Sequence, residues 1–210
     1  MKVKLCGFRR EDSLLAALNY NPDFIGFVFY QNSPRYISPQ DSAGLASLVP
    51  DSVSKVAIVV DAELDFLQEI YNSLKPDYFQ LHGSEDLDYI AKIKALFPDV
   101  KIIKAFGLSS DADLPNLEPY DSCCDLYLFD SKTSEYGGSG QKFDWDLLSK
   151  IRTNKSWFLS GGVNIDNIDL VLKNPNVKMV DISSGIEEEK GVKSPQLISQ
   201  IMHKIKDNAN

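Results

Sequence analysis

Residues 23–29 read DFIGFVF, and residues 38–49 read SPQDSAGLASLV. The first stretch is apolar almost throughout, where a strand with one wet face would alternate. It therefore reads as a strand buried on both faces of a parallel sheet. The second opens with Ser38 at an N-cap position and Pro39 at the first helical position, where proline's fixed φ suits the helix and its missing N–H is not needed. Together they spell a strand, a link and a helix.

The unit recurs. The runs VKLC, SKVAIVV, DYFQL, VKIIKAF, DLYLFD, SWFLS and VKMVDIS join DFIGFVF, with starts at about 2, 23, 54, 77, 100, 124, 156 and 178. The mean step is ~25 residues, in keeping with compact βα units. EDSLLAALNY, LDFLQEIYNSL, EDLDYIAKIKALF, DWDLLSKI, NIDNIDLVL and SPQLISQIMHKI supply helical patterns between the runs, with Leu14, Leu15 and Leu18 expected on one side of the first. DADLPNLEPY, fifth in order, carries two prolines and is expected to be irregular. Eight pairs predict an α/β single-domain (β/α)8 TIM barrel over residues 1–210, with short connections because the fold usually takes ~250 residues. A doubly wound open sheet is the alternative, but no GxGxxG follows the first run.

Composition excludes several classes of function. The chain is 43% hydrophobic and 25% charged, as expected of a globular protein with a full core. Its net charge of −8 would repel a phosphate backbone, so no nucleic-acid partner is expected. Three cysteines do not make a disulfide framework and suit a reducing, cytoplasmic compartment; Cys123 and Cys124 read as structural. There is no signal-peptide core, no run near the ~20 apolar residues of a membrane span, and no metal-ligand spacing. No cofactor, metal or membrane partner is expected. A closed barrel buries its own core, so a monomer is expected, with Phe and Tyr of the outer helices as the face of any homodimer.

In such a barrel, catalytic groups stand at the C-terminal ends of the strands and the opposite face serves stability. That rule selects Cys6 after the first run, Asp130 after the sixth and His82 just past the fourth, and it sets Asp125, five residues earlier, on the stability face. Read singly, each has a plain alternative. Cys6 is either a small packed hydrophobe or a functional thiol. Asp130 is either a loop cap or a carboxyl suited to proton transfer. His82 is either structural or catalytic, and Arg35 in NSPRYIS is either a surface residue or an anion ligand. SGGVN and SSG follow the seventh and eighth runs, where barrels often bind phosphate; Gly161, Gly162, Ser184 and Gly185 are the candidates. SKTSEYGGSGQKF, with three glycines, is a candidate lid over the mouth.

Taken together, KLCG, GFVFYQNSPRYIS, QLHG, FDSKTSEYGGSGQKFDW, LSGGVNIDNI and VDISSGIE resemble the motifs of the phosphoribosylanthranilate isomerases, in that family's order and nearly end to end. The resemblance implies an Amadori rearrangement of N-(5-phosphoribosyl)anthranilate to 1-(2-carboxyphenylamino)-1-deoxyribulose 5-phosphate in tryptophan biosynthesis. It implies Asp130 as general acid on the ribose ring oxygen and Cys6 as general base at C2. It also implies Arg35 at the anthranilate end, Gln80 and His82 lining the pocket, and the glycines and serines of the last two loops on the phosphate. FRRED after Cys6–Gly7 departs from the family's usual residues, and Arg9, if turned inward, would lower the thiol's pKa.

Three rivals are distinguishable. A ribulose-phosphate epimerase would be expected to show metal-ligating His and Asp residues, yet the chain's two histidines are His82 and His203, the latter in the last helix. The analogous histidine-pathway isomerase would be expected to carry an aspartate where Cys6 stands. A silent metabolite-binding barrel has no need of both Cys6 and Asp130.

Overall fold

The apolar runs form eight parallel strands: β1 (Lys2–Cys6), β2 (Phe24–Val28), β3 (Ser54–Val59), β4 (Tyr78–Leu81), β5 (Lys101–Leu108), β6 (Leu126–Ser131), β7 (Trp157–Ser160) and β8 (Met179–Ile182). Each pairs with the next, and β8 pairs back with β1 to close a barrel. The computed structural model describes residues 1–131 and 145–208. Around the strands lie α1 (Glu11–Leu18), α2 (Pro39–Ala46), α3 (Leu64–Leu74), α4 (Leu87–Leu96), α5 (Trp145–Lys150), α6 (Ile168–Lys173) and α7 (Pro195–Asp207). Between β5 and β6 the helix is replaced by two 3-10 turns, Asp111–Asp113 and Glu118–Tyr120, as the two prolines of that segment led us to expect. Among the described residues, no helix is long and apolar enough to cross a membrane.

The helix starts follow their side chains. Ser38 Oγ accepts from Asp41 N–H at 3.1 Å with Pro39 in the first turn, and Asp86 caps α4 through Tyr89 N–H at 2.8 Å. Ser194 followed by Pro195 repeats the first device on α7. In α1 the buried stripe is Leu14 and Ala17 with Leu18 partly covered, whereas Leu15 is 42% exposed. One residue on from Leu14 is a turn of about 100°, which takes Leu15 off the barrel wall.

Inside the barrel, side chains of alternate strands fall level. The pairing register places Phe24, Tyr78, Leu126 and Met179 at the bottom, then Lys4, Val56, Ile103 and Phe158, then Gly26, Gln80, Leu128 and Asp181. Above them come Cys6, Ile58, Ala105 and Ser160, and finally Val28, His82, Asp130 and Ser183 at the C-terminal mouth. The lower layers are mostly apolar and the upper ones increasingly polar.

The N-terminal face has its own device. Asp23, Asp77 and Asp125 stand just before β2, β4 and β6, and each grips the preceding strand twice. Their carboxylates accept from the N–H groups of Val3, Lys55 and Ile102 at 2.8, 2.7 and 2.8 Å, and their own N–H groups donate to the carbonyls of the same three residues. Asp125 is thus a structural clamp. Asp125→Ala should lower the unfolding free energy by about 1–2 kcal/mol in a denaturant titration, because a partly buried N–H loses its acceptor, with turnover unchanged. An unaltered midpoint would show the clamp to be idle.

Candidate active site

Cys6 ends β1 facing inward and is 6% exposed. The room for its sulfur comes from Gly26 on the neighbouring strand, where a Cβ would stand 2.8 Å from Sγ. Gly7, at φ +90°, then turns the chain out of the barrel, with its N–H donating to Gly26 O at 2.8 Å. Phe8 is buried behind it. Arg9 points to solvent, so the expectation that it could press on the thiol does not hold. The cations that do act on the sulfur are Lys4 and Lys193.

Lys4 lies two residues below Cys6 on the same inward face and is wholly buried. It pairs with Asp181 of β8 at 2.9 Å, and Ser160 Oγ donates to the other oxygen of that carboxylate at 3.1 Å. Burial works against the Lys4 ammonium, but Asp181 and the neighbouring sulfur make it hold its proton more tightly than usual. Burial pushes the Cys6 thiol up, and Asp181 adds to the rise, against the pull of Lys4 and Lys193. The thiol is therefore the resting form, and its thiolate would be a strong base. The charges of Lys4 and Asp181 are visible as charged residues set between apolar neighbours in VKL and VDI, a signal the sequence reading left unused.

Asp130 closes β6 at the mouth, half-buried. Its Oδ2 lies 3.4 Å from His82 Nε2, and Gln80 Nε2 lies 2.9 Å from His82 Nδ1. With the Gln80 amide nitrogen donating to Nδ1, the ring proton sits on Nε2 and faces Asp130. Gln80, His82 and Asp130 thus form one polar chain. Gln80 Oε1 is buried and has no hydrogen-bond partner among the described residues.

Arg35 reaches the rim from the loop after β2. Its Nε and Nη2 contact the two oxygens of Glu187 at 2.6 and 2.8 Å. Glu187 belongs to a small hairpin in the β8–α7 connection, β9 (Glu187–Glu189) and β10 (Val192–Lys193), which the sequence reading did not foresee. The residues named for phosphate lie on two neighbouring loops. Gly161 and Gly162 take φ of +92° and +69°, a Cβ on Gly162 would meet open space, and a bridge between Asn164 and Gly185 joins the two loops. The carbonyl of Gly162 is tied back by the side-chain amides of Asn164 and Asn167 at 3.0 and 2.8 Å. The expected lid segment falls almost wholly outside the described residues. All nine sequence-predicted site residues lie on the C-terminal rim or in the layers just beneath it.

Three comparisons bear on this arrangement. Residues 3–204 match the family model described as N-(5'-phosphoribosyl)anthranilate (PRA) isomerase. The chain is 41% identical over 202 residues to the N-(5'-phosphoribosyl)anthranilate isomerase of Rhizobium etli, covering 94% of this chain and 90% of that one. It is 36% identical to the enzyme of the same name from Zymomonas mobilis, covering 98% of each. Among solved structures, phosphoribosyl anthranilate isomerase from Thermotoga maritima superposes with a TM-score of 0.85 at 32% identity, covering 99% of both chains. A phosphoribosyl anthranilate isomerase in complex with reduced 1-(o-carboxyphenylamino)-1-deoxyribulose 5-phosphate superposes with a TM-score of 0.82 at 28% identity, again covering 99% of both.

Proposed function

The chain belongs to the N-(5'-phosphoribosyl)anthranilate isomerase family, and from that premise we propose a division of labour around the barrel mouth. The protein is an isomerase that converts N-(5'-phosphoribosyl)anthranilate to its 1-deoxyribulose isomer in tryptophan biosynthesis. Asp130 is the general acid: its proton goes to the ribose ring oxygen, the C1–O bond breaks, and the ring opens to a protonated Schiff base at C1. Cys6, as thiolate, takes the C2 proton; the electron pair moves into the C1–C2 bond and neutralises the iminium. The resulting enolamine tautomerises to the C2 ketone.

The observation that carries this reading is the placement of Cys6 and Asp130 in adjacent layers of one mouth, on strands well separated around the ring. A sugar bridging them would meet the acid and the base from different sides, as the two proton transfers require. Arg35 takes the anthranilate carboxylate. The loops at Gly161–Gly162 and Ser184–Gly185 take the phosphate through backbone N–H groups. A ribose hydroxyl donating to Gln80 Oε1 would satisfy the acceptor the protein leaves unpaired, and His82 holds Asp130 in place. We also take the protein to be a cytoplasmic monomer, in keeping with three free cysteines and a barrel that closes on itself.

The chain should restore growth without tryptophan to a bacterium lacking its own phosphoribosylanthranilate isomerase. Failure of the well-expressed protein to do so would refute the function. Arg35→Ala should raise KM by about 10–100-fold with a smaller loss in kcat, since it removes a charge-assisted contact made before and during the reaction. An unchanged KM would move the carboxylate contact elsewhere.

A further inference from the structure

An arginine meant to bind a carboxylate sits, in this structure, on a carboxylate of the protein's own. Glu187 Oε1 accepts from Arg35 Nε at 2.6 Å and from Lys193 Nζ at 2.7 Å, and Oε2 accepts from Arg35 Nη2 at 2.8 Å and from Gly191 N–H at 3.2 Å. The Glu187 side chain is 5% exposed and that of Lys193 is 1% exposed, so the group is shielded from water on the barrel side. Burial disfavours the charge on Glu187, but the Arg35 hydrogen bonds and the nearby Lys193 ammonium hold its carboxyl below the usual range. Among the described residues, Arg35 and Lys193 both face Glu187, and burial pulls the Lys193 ammonium's pKa down against the hold of that carboxylate.

The surrounding backbone is shaped to this cluster. A Cβ on Gly7 would stand 2.7 Å from Arg35 Cδ and 3.2 Å from Lys193 Nζ, so the turn after Cys6 leaves room for both side chains. Gly191, at φ +83°, lets the hairpin lie against the Arg35 loop so closely that a Cβ would fall 2.4 Å from Pro34 O. Lys193 Nζ also donates to Ser183 O at 2.9 Å and contacts Ser183 Oγ at 3.3 Å. Four contacts therefore hold Glu187, and three hold Lys193.

We propose that Glu187 and Lys193 are positioning residues for Arg35. Glu187 grips the guanidinium along its Nε–Nη2 edge and fixes its plane, while Lys193 and Gly191 hold the Glu187 carboxylate in that orientation. The hairpin thereby sets the preference for an aryl amine that carries a carboxylate. This rests on the assignment of Arg35 to that carboxylate.

The test uses the full-length enzyme and two probes: the reduced carboxyphenylamino-deoxyribulose phosphate and its phenylamino counterpart without the carboxylate. Glu187→Gln should weaken the carboxylate-bearing probe by on the order of 10-fold, as expected for loss of a set geometry at a charged contact. It should leave the carboxylate-free probe unchanged and add little in an Arg35→Ala background. Lys193→Gln, which takes away one of the groups that hold the Glu187 carboxylate, should also weaken the carboxylate-bearing probe alone, and it serves if Glu187→Gln does not fold. Equal weakening of both probes, or additivity with Arg35→Ala, would overturn the positioning role while leaving Arg35 in place. If Arg35→Ala itself binds both probes like the parent, the assignment of Arg35 fails instead.

Discussion

Asp130→Asn is expected to lower kcat by about 10²–10⁴-fold, the range a general acid typically contributes. The amide keeps the shape of the carboxyl but has no proton to give to the ring oxygen, so ring opening slows while binding is retained. Stability should hardly change, because Asp130 is half-buried and His82 lies 3.4 Å away. The contrast with Asp125→Ala is sharp: five residues apart, at opposite ends of β6, one change should remove activity and the other lower stability. Steady-state kinetics beside a denaturant titration decide it. Near-parental turnover in Asp130→Asn would remove Asp130 from the mechanism.

Cys6→Ser should cost a comparable factor, about 10²–10⁴-fold in kcat, since a serine hydroxyl ionises far less readily than a thiol and makes a poor base. The buried position gives a second readout. Because burial raises the thiol's pKa despite Lys4 and Lys193, Cys6 should ionise above the range of an ordinary cysteine. The difference in thiolate absorbance between the parent and Cys6→Ser isolates this group from Cys123 and Cys124. A step in that difference at or below neutral pH would contradict the environment described. A raised pKa leaves fewer thiolates in the free enzyme but makes each a stronger base, which suits removal of a proton from carbon.

Much of this was legible in the chain because barrel strands are short, buried on both faces and regularly spaced. DFIGFVF and its seven companions carry that signal, and Ser38–Pro39 and Ser194–Pro195 mark helix starts through side chains that act locally. Cys6, Asp130 and the loop glycines could be located because strand ends face one mouth. What escaped notice depends on partners far apart in sequence. Lys4 meets Asp181 across 177 residues and Arg35 meets Glu187 across 152, so the chain shows the charges without showing which ones pair. EEEKGVK looks like a solvated loop, yet it folds into a hairpin because Glu187 and Lys193 have a buried cation and a loop to grip. Arg9 shows the converse: adjacency in sequence to Cys6 does not bring it near, since Gly7 turns the chain away and Phe8 is buried instead.

The most direct measurement follows N-(5'-phosphoribosyl)anthranilate, generated in situ, by the loss of its fluorescence on adding the purified protein. The account predicts rapid, enzyme-dependent loss, with 1-(2-carboxyphenylamino)-1-deoxyribulose 5-phosphate as product and no loss with the Cys6→Ser/Asp130→Asn double variant above the uncatalysed rate. Fresh substrate that keeps its fluorescence in the presence of folded parent protein would contradict it.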